Sequence, residues 1–230
     1  MKWKLIFPPL MLLALVAGLV MTQTSGEAVK PQILIKPEFP KPVFMSGPWA
    51  CNLPHLEKAD ASKVIKQFYA PAGTSMVSVG KAVTASAAPL EDSSLPFLTD
   101  GDNSSDRGTV LVLPQGKQWV QIDLGQSMKV QKIHVWHAQS QLADAYLDLV
   151  IQVSEEAAFR ENVVILFNAD FDSSLGLGKG GDPAYVETNY GRVIEGGGVR
   201  ARHVRLWSAG SYNNGFVRFA EVAVYASPLE

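Results

Sequence analysis

From Gly73 onward, apolar residues recur at every second position in short runs broken by Gly- and Asp-rich turns, with no long amphipathic helix among them. This pattern constrains the fold most, because residues two apart share one face of a strand. The runs are Met76–Thr84, Trp119–Leu124, Val130–Trp136, Tyr146–Val153, Val163–Phe167, Gly198–Trp207 and Phe216–Tyr225. In the second run Val120, Ile122 and Leu124 face one way, and Trp119, Gln121 and Asp123 the other. In the fourth, Leu147, Leu149, Ile151 and Val153 share a face. Many short strands at this spacing make an all-β, antiparallel sandwich or barrel.

The turn before the second run carries chemistry. Asp100-Gly101-Asp102 opens a stretch rich in Asp, Asn and Ser. Carboxylates and bent-back carbonyls at such short range suit a hard cation such as calcium. The spacing is not that of an EF-hand loop. The alternative is a solvated turn whose aspartates bond their own backbone.

Lys2 and Lys4 precede an apolar run from Leu5 to Met21, and small residues follow. Residues 1–28 read as a secretory signal cut between Thr22 and Ala28, with an uncleaved membrane anchor as the alternative. A secreted or periplasmic, cell-envelope location follows. The single cysteine, Cys51, allows no internal disulfide. Residues 29–72 are dense in proline and lysine, which predicts an extended arm or linker. Within it Leu56–Tyr69 places Val64, Ile65, Phe68 and Tyr69 at helical spacing behind Asp60 or Ser62, predicting a short helix. Residues 29–55 are expected to add little to the core, since their prolines prevent regular pairing. The globular part is then 73–228. With 20 basic and 22 acidic residues, a net charge of −2 and no block of like charge, neither nucleic acid nor an anionic membrane surface is an expected partner.

The ordered set of LTDGD at 98–102, WVQIDLG at 119–125, Val130-Gln131-Lys132-Ile133-His134-Val135-Trp136, Val150–Ser154, Ala201–Ser208 and Ala220–Tyr225 resembles the discoidin, or coagulation-factor type C, domain of the galactose-binding-like superfamily. The resemblance spans about Ser75 to Ala226. It implies a jelly-roll antiparallel β-sandwich and a non-catalytic binding module. Bacterial members of the family take sugars, and animal members take lipids or proteins. The expected partner is therefore a glycan or cell-surface polysaccharide. An envelope protein held by the arm is the second reading, and an accessory lobe of a glycan-active enzyme the third. The resemblance also implies a structural calcium. Asp100, Asp102, Thr109 and Glu221 would be ligands, with Phe97 and Ala220 giving carbonyls. Sugar binding on end loops needs an aromatic face and polar neighbours, which points to Trp136, His137, Tyr212, Asn213 and Asn214. The animal domains' disulfide has no counterpart here.

Other motifs carry less. Gly176–Gly181 satisfies GxGxxG but opens no helix, so it reads as a flexible loop and no nucleotide is expected. His134 and His137, three apart on a strand, do not share an ion. No Gly-x-Ser-x-Gly elbow and no paired carboxylates suggest catalysis. Arg202 and Arg205 fall on opposite faces of one strand, and one is expected to pair with a carboxylate inside the sandwich.

Overall fold

A computed structural model describes residues 31–43, 51–90, 92–105 and 108–229. The secretory signal read at 1–28 lies outside these residues. The strands are β1 (Gln32–Ile35), β2 (Phe68–Pro71), β3 (Ser75–Met76), β4 (Ala82–Ala85), β5 (Leu111–Gln115), β6 (Gln118–His137), β7 (Val150–Ser154), β8 (Val164–Asn168), β9 (Arg192–Ser208) and β10 (Phe216–Pro228). Every strand pairing is antiparallel.

The runs expected as two strands, Trp119–Leu124 and Val130–Trp136, are one bent strand, β6. The ladder is interrupted between Asp123 and Met128. There Asp123 accepts the Gly125 N–H at 2.8 Å, and Gly125 takes a left-handed φ of 85°. The first half of β6 pairs with β4 and with the second half of β9. Its second half pairs with β10 and with the first half of β9. Two long strands thus pass from one layer to the other. β7 and β8 extend the first layer beyond β9, and β3 and β5 flank β10. This is an all-β antiparallel sandwich.

The alternation holds. Val120, Ile122 and Leu124 are all but fully buried, together with Leu149, Ile151, Val153, Val204 and Leu206. They form one core with Phe219, Val222 and Val224. Each large side chain so buried stabilises the fold by roughly 1.5–3 kcal/mol relative to exposure. The fourth run starts later than expected, at Val150, because Asp148 takes a φ of 51° and turns the chain.

The arm differs from expectation. The helix expected over Leu56–Tyr69 is only a 3-10 turn, Ala61–Lys63, capped by Asp60, whose Oδ1 accepts the Ser62 N–H at 2.9 Å. Phe68–Pro71 instead pairs with Gln32–Ile35. The period there is two: Phe68 is buried, Tyr69 exposed and Ala70 buried. Tertiary pairing overrides the helical spacing. Pro71 sits at the strand's end, where its missing N–H is tolerated. No described residue of 31–72 enters the main core. The arm instead covers the outer face of the β6–β10 layer. Phe68 meets Tyr225 edge-on at 5.1 Å, and Ile35 and Phe39 join Trp136, Ala220 and Ala223.

Candidate functional site

The acidic turn meets Glu221, within the last long strand, as the resemblance implied. Glu221 is 2% exposed. Its Oε2 accepts the Gly101 N–H at 3.2 Å, while its Oε1 is buried with no hydrogen-bond partner. Burial, with Asp100 and Asp102 beside it, pushes its carboxyl up to about 8. Asp100 and Asp102 are exposed, and each accepts the backbone N–H two residues on, at 2.9 Å. Ala220 is the extra residue of a β-bulge between Phe219 and Glu221, which takes its backbone out of the regular ladder. Phe97 is half-buried at the end of a short 3-10 turn, and Thr109 bonds Ser104 at 3.2 Å. An orphaned buried carboxyl oxygen facing two further carboxyls is a donor set that fits a hard cation.

A second acidic group lies elsewhere. Asp148, Asp170 and Asp172 bring oxygens within 4.8 Å of one another. Asp170 spends its oxygens on the Ser174 and Leu175 N–H groups, each at 2.8 Å. It thereby organises the loop that follows β8. Of the glycines in that loop, Gly180 is packed, since a Cβ on it would lie 2.3 Å from the Asn168 carbonyl oxygen, whereas Gly176, Gly178 and Gly181 have open space around them. Neither Arg202 nor Arg205 lies inside the sandwich, contrary to expectation. Arg202 grips Asp123 at 2.7 and 2.8 Å near the surface, holding that carboxyl down at about 2. Arg205 bonds Gln121 and lies over Trp119 and Phe159.

The expected sugar residues divide. Trp136 is 2% exposed; its indole N–H donates to the Asn189 carbonyl at 3.2 Å, and its ring stacks on His134 at 3.6 Å. His137 is fully buried between Tyr146 and Phe219, with Nδ1 2.9 Å from the Glu187 carboxylate. Neither ring has a face free for a sugar, because the arm cluster and His134 cover Trp136, and Tyr146 and Phe219 enclose His137. Tyr212, Asn213 and Asn214 remain together at one end of the sandwich. Tyr212 is 40% exposed. The turn is fixed by three contacts: Asn213 Nδ2 to the Ala143 carbonyl at 2.9 Å, Tyr212 N–H to the Ala145 carbonyl at 2.9 Å, and Ser211 Oγ to Asn214 Oδ1 at 3.0 Å.

Beside it the arm closes a cavity of about 550 Å³ that sequence reading missed. Cys51 Sγ donates to the Ala143 carbonyl, the same oxygen that Asn213 uses. Glu57 and Arg192 form a bidentate pair at 2.7 and 2.9 Å, and Arg192 lies over the Tyr185 ring at 4.6 Å. The paired residues are 135 apart in sequence, so no local spacing signals them.

No protein-family model and no curated protein matches the chain. Among solved structures it is similar to a family 89 glycoside hydrolase from Clostridium perfringens in complex with 2-acetamido-1,2-dideoxynojirmycin. That match has 22% identity and a TM-score of 0.50, over 66% of this chain and 15% of that one. It is also similar to the lectin domain of lectinolysin complexed with Lewis B antigen, at 19% identity and a TM-score of 0.48, over 66% and 97% of the two chains. A Streptococcus pneumoniae fucose binding module matches at 16% identity and a TM-score of 0.46, over 66% and 97%. The chain spans about 15% of the length of the glycoside hydrolase. At such identities the likeness is one of fold, and the first match carries it.

Proposed function

We propose that this discoidin-like sandwich is a non-catalytic carbohydrate-binding module that works outside the cytoplasm, secreted or in the cell envelope. The observation that carries the reading is the end turn held by internal hydrogen bonds of Asn213 and Asn214, where Tyr212 offers an exposed ring. The sequence resemblance and a fold shared with part of a glycoside hydrolase support it. Calcium, held by Glu221, Asp100 and Asp102 with Phe97, Thr109 and Ala220 as the further ligands the resemblance implies, takes a structural role. It neutralises carboxyls that otherwise repel one another. A glycan array on the purified protein tests the main reading: binding to a defined glycan class, lost in Tyr212→Ala, is the expected result. A protein partner on the envelope is the second reading. It is favoured by Leu34 and Tyr69, cross-strand neighbours exposed by 40% and 63% on the outer face of the arm. A blank glycan array together with crosslinking through Tyr69 would select it.

A further inference from the structure

The arm covers the outer face of one layer, and the outer face of the other carries a row that crosses five strands. By register Thr84 of β4, Gln121 of β6, Arg205 of β9, Gln152 of β7 and Ile165 of β8 lie side by side. Two residues along the same face, Trp119 and Trp207 are neighbours, both half-buried, with ring centres 6.4 Å apart. Arg205 is half-buried over Trp119 and Phe159, its guanidinium carbon 4.6 and 4.1 Å from their ring centres. Its Nε and Nη2 donate to the Gln121 amide oxygen, and Nη2 also to the Ala157 carbonyl, all of them neutral acceptors. Its Nη1 has no partner among the described residues. Two other arginines of β9 have a counter-charge: Glu57 holds Arg192 and Asp123 holds Arg202. No described carboxylate pairs with Arg205. Burial accordingly draws Arg205 below the usual guanidinium value with nothing to offset it. Burial acts on Arg192 too, but its bond to Glu57 outweighs it, and the bond to Asp123 raises Arg202.

A partly desolvated cation without a counter-charge is costly, and a ligand that supplies the missing charge relieves that cost. We infer that this face is a second glycan site and that it takes sugar rings bearing a carboxylate. The inference rests on the carbohydrate reading, and adds to it a substrate class and a separate group of residues. A uronate ring has a C–H face that packs on an indole and a planar carboxylate that meets a guanidinium. The carboxylates around neighbouring His203 do not oppose it, because Asp123 is committed to Arg202 and Glu155 to Arg200. At a strand spacing of about 4.8 Å the five positions of the row span about 19 Å, which suits a chain of linked sugars rather than one ring. One free guanidinium among neutral side chains matches a carboxylate on a sugar better than the dense charge of a nucleic acid, which needs many cations.

The test uses the full chain. Titration calorimetry compares a galacturonic acid hexamer with its fully methyl-esterified form, a galactose hexamer and a short single-stranded DNA. Four variants are measured beside the native protein: Arg205→Met, Tyr212→Ala, and Thr84→Glu and Thr84→Lys at the exposed end of the row. The expected result is binding of the acidic hexamer, with the ester about tenfold weaker, the worth of one hydrogen bond to a charged group. Arg205→Met should weaken the acidic hexamer to the level of the ester. Thr84→Glu, which brings a carboxylate into the row, should weaken it about tenfold with the melting temperature kept, and Thr84→Lys should not. Tyr212→Ala should leave this binding in place. If Arg205→Met fails to fold, the two Thr84 variants decide. Equal affinity for acid and ester, or indifference to both Thr84 changes, overturns the inference. Preference for a neutral hexamer that is lost in Tyr212→Ala overturns the second site and leaves the carbohydrate reading standing. DNA bound as tightly as the acidic hexamer overturns the commitment to sugar. No hexamer bound by the native chain overturns the inference, and the glycan array then decides separately on the carbohydrate reading.

Discussion

Glu221→Gln should stabilise the metal-free protein at alkaline pH, and calcium should cancel most of that advantage by stabilising the native chain and not the variant. In the native chain the carboxyl is raised from 4.5 to about 8, first by burial and then by Asp100 and Asp102, partly offset by the Gly101 N–H. An acid raised in the folded state holds its proton more tightly there than when unfolded. Metal-free stability is therefore fully present below pH 4.5 and declines as the pH rises towards 8. Ionising so displaced a carboxyl costs roughly 5 kcal/mol. Glutamine removes that cost while keeping the shape and an oxygen for the Gly101 N–H. In EDTA near pH 8 the variant should melt roughly 10 °C higher, since each kcal/mol moves a domain of this size by about 2–4 °C. Below pH 4.5 the two melting curves should converge. Calcium at about 1,000 times its dissociation constant adds about 4 kcal/mol to the native chain by mass action, and little to the variant. Thermal melts followed by circular dichroism, with EDTA, calcium or magnesium across this pH range, read all of it. Parallel pH dependence of the two proteins in EDTA would refute the raised carboxyl. Equal stabilisation of both by calcium would refute Glu221 as a ligand.

Phe68→Ala should destabilise the chain by about 3 kcal/mol, because it removes a buried ring from the cluster between arm and sandwich; urea unfolding with no change in midpoint would show that the arm is not docked. Burial holds His134 down at about 4, so the stability it brings is present above pH 6.5 and lost as the pH falls towards 4. His134→Gln should flatten that acid limb by about 3 kcal/mol, and an unchanged limb in acid-induced unfolding would contradict it. Gly210→Ala sets a Cβ 2.2 Å from the Gly215 carbonyl oxygen at a φ of 112°, so it should distort the Tyr212 turn and weaken glycan binding on the array, and unaltered binding would place the sugar elsewhere.

The strands were legible because a period of two is a local property. Val120, Ile122, Leu124, Ile151, Val204 and Leu206 announce their buried face within a few residues of chain, and the structure buries them all. The meeting of Glu221 with the Asp100–Asp102 turn was not local, and came from the ordered resemblance rather than from any spacing. Alternation says which side chains leave the core, but not what lies over them. Trp136 and His137 could thus read as ligand residues when the arm and Asn189 in fact cover the first and Tyr146, Phe219 and Glu187 enclose the second. Val64, Ile65, Phe68 and Tyr69 fit a helix as well as a strand. Only the hydrogen-bonding edge of Gln32–Ile35, more than thirty residues earlier, decides for the strand. Glu57 and Arg192 are likewise joined by packing across 135 residues. The sequence by itself determined the sandwich and its inner face, because burial of alternating side chains is encoded residue by residue. The tertiary structure alone decided the cover on its outer face and the cavity beneath it, because those depend on which distant segments come to share a surface.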